Sequence, residues 1–190
     1  MRIDLTYPLK KEELTNMIRT AGLETIANKF GHFGTHFDCM DKEFPLHYCR
    51  LNGIIVDIRK ANKEIKVSDI DFSNISMNDF VIFYTGIIEK HKYGSQEYFS
   101  YPLEFSDELI KRLTEEKIRI AGIDMAGVKL GQNHAKTDQY LANHNIFVVE
   151  NLYNLHSLFE EAGGQSFIVN TFPLKLEGYT GLPTRVIAEI

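Results

Sequence analysis

Two short apolar runs limit the fold most. Residues 53–59 (GIIVDIR) and 79–88 (DFVIFYTGII) are rich in β-branched and aromatic side chains, and each reads as a buried strand. The second half of the chain then alternates. Residues 106–117 predict a helix with Ser106 as its N-cap and Leu109, Ile110 and Leu113 on one face. A strand follows at 119–124, a helical stretch near 137–144, a strand at 145–150 and a helix near 154–161. Two further strands are predicted at 166–176 and 184–190. Near the start, residues 2–6 alternate as a strand does. Residues 10–29 are charged and helix-favouring, with Leu14, Ile18, Leu23 and Ile26 as the apolar stripe. Strands alternating with helices after a strand-rich middle predict an α/β protein with a mixed sheet.

Composition fits a globular domain and excludes several function classes. The chain has 190 residues, 44% apolar and 25% charged, so one domain spanning residues 1–190 is expected, and a disordered chain is not. A net charge of −5 is not the footprint of a nucleic-acid binder. No apolar run is long enough to cross a membrane, and the opening MRIDLTYPLKKEEL lacks the apolar region of a secretory signal. The two cysteines, Cys39 and Cys49, make no disulfide framework. The expected setting is therefore cytoplasmic, with neither nucleic acid nor membrane as partner.

The chemistry concentrates in Gly31-His32-Phe33-Gly34-Thr35-His36-Phe37-Asp38. Two imidazoles stand four apart, with a carboxylate two beyond the second. On a helix His32 and His36 share a face, and on a strand His36 and Asp38 point to the same side. Two imidazoles and a carboxylate are a common ligand set for a catalytic divalent metal. The same spacing also suits a half-exposed turn with hydrogen-bonded imidazoles. Cys39 is expected to be a small buried residue, pointing away from Asp38 on extended chain.

The run His-x-Gly-Thr-His-x-Asp resembles the signature of the cyclase family of metal-dependent hydrolases, which includes bacterial kynurenine formamidase and isatin hydrolase. Further stretches resemble that family in order: Ile3-Asp4-Leu5-Thr6, Phe44-Pro45-Leu46, Tyr84-Thr85-Gly86, Ala121-Gly122-Ile123-Asp124, Val148-Val149-Glu150-Asn151-Leu152, and Leu182-Pro183-Thr184-Arg185-Val186-Ile187-Ala188. The resemblance implies a compact β/β/α architecture, a barrel-like mixed sheet flanked by helices. It implies His32, His36, Asp38 and Glu150 as metal ligands. The family's further His falls on Asp138 here, with His134 one helical turn earlier, so either Asp138 or His134, not both, is expected to face the cluster. Zn²⁺ is the default metal, and Mn²⁺ suits the extra carboxylate.

The chain departs from the family pattern after Asp38. Where relatives carry Pro-x-His-Phe, with a proton-handling His, this sequence has Met40-Asp41-Lys42-Glu43. Lys42 stands at the position of that His, and His47 or Glu43 are the alternatives for its role. The charged segment 10–29 also replaces a Pro/Gly-rich stretch that helps line the pocket in relatives. The resemblance thus implies a metal-dependent hydrolase of amide, formamide, lactam or ester bonds in a small molecule, in a homodimer or larger homo-oligomer. The altered run leaves open a cyclase-fold protein that binds a metal or small molecule without hydrolysis.

Overall fold

In a computed structural model that describes residues 1–21 and 29–190, the apolar run at 79–88 divides in two. Phe80–Tyr84 is a strand, Gly86 turns in the left-handed region at φ 72°, and Ile87–Lys90 is a short helix. The strand ends there because the Asp124 carboxylate accepts hydrogen bonds from Thr85 N, Thr85 Oγ1 and Gly86 N, which diverts the backbone.

The strands are β1 (Arg2–Asp4), β2 (His36–Asp38), β3 (Arg50–Asp57), β4 (Glu64–Ile65), β5 (Phe80–Tyr84), β6 (Glu104–Phe105), β7 (Ile120–Ile123), β8 (Phe147–Glu150), β9 (Phe167–Pro173) and β10 (Gly181–Glu189). Strands β3, β5, β7 and β8 run parallel in that order. Antiparallel β2, β10 and β9 complete the path from β8 back to β3. The sheet therefore closes on itself as a barrel, with β1 added along one edge of β10. Strands β4 and β6 form a separate parallel pair.

Side-chain alternation along the barrel strands sorts the core into two clusters. Phe80, Ile82 and Tyr84 of β5 join Phe37, Ile120, Val149, Phe167, Val169, Val186 and Ala188, drawn from five other strands of the ring, in the lumen. Gly53 and Gly122 make room for these rings: a Cβ would meet Phe167 at 2.5 Å from Gly53 and Phe80 at 2.6 Å from Gly122. Val81 and Phe83 point outward, with Ala121, Ile123 and Val148, against Leu109, Ile110 and Leu113 of the helix Asp107–Glu116. A strand buried on both faces reads as a continuous apolar run, which is why 80–84 lacks polar alternation. Burial of each large side chain contributes roughly 1.5–3 kcal/mol.

Ser106 caps its helix as expected, its hydroxyl accepting from Leu109 N. The helices His134–Asn143 and Leu155–Ala162 match the sequence reading. The N-terminal helix covers Lys11–Ala21, with Leu14 and Ile18 half-buried; Leu23 and Ile26 of its expected stripe lie outside the described residues. The observed architecture is the expected α/β barrel-like mixed sheet flanked by helices. No helix among the described residues is long and apolar enough to cross a membrane.

Candidate metal centre

Strand β2 carries its chemistry on one face only. Phe37 and Cys39 enter the lumen cluster, so His36 and Asp38 face outward. Register places His36 directly opposite Glu150, the last residue of β8. The helix His134–Asn143 packs over this face, and the 3-10 turn Phe30–His32 borders it.

Six side chains meet there. His32 Nδ1 lies 3.0 Å from Asp38 Oδ1 and 3.2 Å from His36 Nε2. His36 Nε2 is 3.6 Å from Asp38 Oδ1 and 3.5 Å from Glu150 Oε2. His134 Nε2 lies 3.2 Å from both Asp138 Oδ2 and Glu150 Oε1. Ligand atoms of His32, His36 and Asp38 fall within 4.8 Å of one another, as do those of Asp38, His134 and Asp138. Asp38 is thus common to two possible ligand triads. The cluster opens to solvent on its imidazole side, where the side chains of His32 and His134 are 31% and 33% exposed.

Hydrogen bonds at the back of the cluster set which nitrogen each ring presents. The Gly34 carbonyl can only accept, so His36 Nδ1 carries the proton donated to it at 2.9 Å. His36 Nε2 is left facing the carboxylates. His32 Nε2 meets Thr180 Oγ1 at 2.9 Å, which turns its Nδ1 inward.

The electrostatics are those of crowded, buried charge. Burial opposes ionisation of Asp38, but the charges and hydrogen bonds of His36 and His32 outweigh it and hold that carboxyl far below its ordinary range. Burial, then the Asp38 charge, pushes Asp138 up to about 9 and Glu150 well above its ordinary value. Burial alone would lower His36, yet Asp38 and Glu150 raise it to about 9. Four buried carboxylate oxygens, Asp38 Oδ2, Asp138 Oδ1 and Oδ2, and Glu150 Oε1, have no hydrogen-bond partner. Asp138 Oδ2 and Glu150 Oε1 lie close to His134 Nε2 without hydrogen-bonding geometry. Buried polar atoms without partners are costly. Imidazole nitrogens and hard carboxylate oxygens converging with unfilled lone pairs fit a divalent cation.

The family model described as "Putative cyclase" matches residues 3–129 of the chain. The chain belongs to the cyclase family. The match includes His32, His36 and Asp38, whereas His134, Asp138 and Glu150 lie beyond it. No curated protein matches the chain. Among solved structures, the cyclase-family chain is similar to a potential metal-dependent hydrolase with cyclase activity, at 21% identity and TM-score 0.75, covering 99% of this chain and 96% of that one. It is similar to a predicted metal-dependent hydrolase from Bacillus stearothermophilus, at 20% identity and TM-score 0.72, covering 99% and 97%. Isatin hydrolase A from Labrenzia aggregata, bound to benzyl benzoate, is similar at 20% identity and TM-score 0.69, covering 83% of this chain and 72% of that one. These likenesses establish the barrel fold.

One expectation is corrected. His134 and Asp138 both face the cluster, because residues four apart share a helix face. Lys42, Glu43 and His47 stand apart from it. All three are exposed; Lys42 pairs with Asp41 at 3.2 Å, and His47 lies edge-on against the Tyr48 ring at 4.6 Å. Among the described residues none of them has a hydrogen bond or ion pair to the cluster. Cys39 is buried, as expected. The sequence reading missed Thr180, which carried no signal: it lies in a loop 148 residues from the His it holds.

Proposed function

We propose that this cyclase-family protein is a divalent-metal-dependent hydrolase acting on an amide, formamide, lactam or ester carbonyl of a small molecule. The observation that carries this reading is the set of four partnerless carboxylate oxygens buried against three imidazoles. His32, His36, Asp38, His134, Asp138 and Glu150 would hold the cation, either Zn²⁺ or Mn²⁺. A cation bound there supplies Lewis-acid polarisation of the carbonyl and a lowered pKa for water. In its absence burial and the Asp38 charge raise both the Asp138 and Glu150 carboxyls, and a cation held there would favour their ionised forms. His32 and His134 are the most exposed members of the cluster, so a substrate would approach from their side. The isatin hydrolases among the similar structures support cyclic or acyclic amides as the first substrates to try.

A second reading has its own observation. Lys42, Glu43 and His47 are all exposed, and among the described residues none has a hydrogen bond or ion pair to the cluster. This favours a protein that binds a metal or small molecule without turnover. A panel of N-formyl aromatic amines, isatin-like lactams and small esters, with added Zn²⁺ or Mn²⁺, separates the two. Turnover abolished by a chelator supports the hydrolase; metal binding without turnover supports the binding protein. The proposal carries with it a cytoplasmic setting and a homodimer or larger assembly, which sedimentation of the purified protein tests.

A further inference from the structure

Asn151 follows Glu150 directly, and its backbone lies in the left-handed region at φ 58°, where Asn is among the better-tolerated residues. It is buried, and all its polar groups are used. Its N–H donates to Met125 O at 3.3 Å, and its carbonyl accepts from Thr35 Oγ1 at 2.8 Å. Its side-chain Nδ2 donates to Gly34 O at 2.8 Å and lies 3.4 Å from His36 Nδ1. Its Oδ1 accepts from the Tyr98 hydroxyl at 2.6 Å. The amide orientation follows from the chemistry: the opposite flip would set Oδ1 against the Gly34 carbonyl, acceptor against acceptor.

Gly34 is therefore held through both of its backbone polar groups. Its N–H donates to Tyr93 Oη at 2.8 Å, and its carbonyl takes Asn151 Nδ2 and His36 Nδ1 together. Tyr93 and Tyr98 are both buried, and their rings pack at 5.6 Å between centroids. These tyrosines lie in the aromatic stretch that follows the Tyr84-Thr85-Gly86 turn, far in sequence from the ligand candidates.

We propose that Asn151 and Tyr98 are positioning residues of the metal centre, acting as a relay in which Tyr98 orients the Asn151 amide, Asn151 fixes the Gly34 carbonyl, and that carbonyl fixes the His36 ring with Nε2 toward the ligand cluster. The proposal rests on the metal-dependent reading. A ligand imidazole is oriented by the group bonded to its other nitrogen, and loss of such outer partners typically costs about 10–100-fold in metal affinity. Here the partner carbonyl is itself oriented by a side chain two steps removed.

The test titrates metal-free protein with Co²⁺ and Zn²⁺, reading affinity and the Co²⁺ visible absorption, beside the thermal midpoint of each metal-free variant. Asn151→Gly keeps the left-handed backbone free of strain and deletes the relay. Tyr98→Phe removes one hydroxyl. Thr85→Val is the structural control, deleting an equally buried hydrogen bond to Asp124 on another strand end. The expected result is a loss of about 10–100-fold in affinity for Asn151→Gly and about 3–10-fold for Tyr98→Phe, each with a changed Co²⁺ spectrum. Thr85→Val lowers the midpoint and leaves affinity and spectrum as in the wild type. Wild-type affinity and spectrum in both relay variants, with lowered midpoints, would overturn the proposal and leave the network purely structural. Should Asn151→Gly not fold, Tyr98→Phe decides by the same readouts. A wild type that binds neither metal overturns the metal-dependent reading and the relay with it; a wild type that binds while its variants match it overturns the relay alone.

Discussion

Two regions of the barrel bury carboxylates, and they bury them differently. Asp124, at the end of β7, is wholly buried, and both its oxygens are engaged by donors from Thr85 and Gly86. Asp38, Asp138 and Glu150, on the outer face of β2 and β8 and the helix above, leave four oxygens without a donor. A buried carboxylate that serves the fold is given its hydrogen bonds by the fold. One left without them, beside two others and three imidazoles, is held for something the chain does not itself supply. The contrast separates a structural acid from a ligand set without reference to any relative.

The largest expected effect tests that contrast directly. Asp38→Ala should cost more than the ~10–100-fold typical of an outer partner in Zn²⁺ or Mn²⁺ affinity, because Asp38 is common to both triads. Asp124→Asn should leave metal affinity near that of the wild type. Calorimetric titration of both variants checks this, and equal losses would erase the distinction between the regions.

The next effect concerns pH. Burial raises Asp124 to about 6 against its ordinary 3.8. Between those values the native protein holds a proton that the unfolded chain has released. The stability linked to this group is therefore full below about pH 4 and lost as pH rises through about 6, by about 3 kcal/mol at most. Denaturant melts of metal-free protein across this range should show that slope, and Asp124→Asn should flatten it. An unchanged slope would mean the three hydrogen bonds fully offset the burial.

Much of this was legible in the sequence, for physical reasons that differ by residue. The doubly buried β5 announced itself by its unbroken apolar run, and Ser106 by its place before an amphipathic stretch. The shared face of His36 and Asp38 was legible because alternation on a strand fixes it, whereas Glu150 was legible only through the family resemblance of Val148-Val149-Glu150-Asn151-Leu152. The pairing of His134 with Asp138 needed only the helical period, yet the expectation that one would exclude the other ignored that both lie on one helix face. The apolar run predicts one strand across 79–88, but the carboxylate that accepts from Gly86 N and ends it lies 38 residues away. Thr180 and Tyr98 escaped for the same reason: their roles exist only through long-range contacts.

A smaller effect follows from crowding at the cluster. In the metal-free protein Asp138 is pushed up to about 9 by burial and the Asp38 charge, so folding must take up a proton or bear a charge there at neutral pH. Asp138→Asn removes that cost and should stabilise the metal-free protein by about 0.5–2 kcal/mol, the range common for single stabilising substitutions. It should also shrink the stabilisation that added metal gives, which for the wild type is about 2.7 kcal/mol at a metal concentration 100 times Kd. Asp138→His instead tests ligand character and should shift preference from Mn²⁺ toward Zn²⁺. Thermal melts with and without each metal read all three. If Asp138→Asn destabilises the metal-free protein and leaves the metal effect intact, Asp138 belongs with Asp124 as a structural acid.

The smallest effects belong to the run after Asp38, and they carry the question of catalysis. Lys42, Glu43 and His47 are exposed, and surface substitutions usually move stability by no more than about 0.5 kcal/mol. Lys42→Ala, Glu43→Gln and His47→Ala should each leave metal affinity within about twofold, since none touches a ligand candidate. Turnover on the best substrate of the panel should be equally indifferent to all three, because a general base must lie within hydrogen-bond reach of its proton. A positioned acid–base group typically contributes 10²–10⁴-fold, on the order of magnitude by which this protein should then fall short of relatives with the complete run. If His47→Ala instead removes most activity while metal affinity holds, the 39–47 segment closes over the cluster when substrate binds. The surface position of His47 would then describe only the unliganded chain.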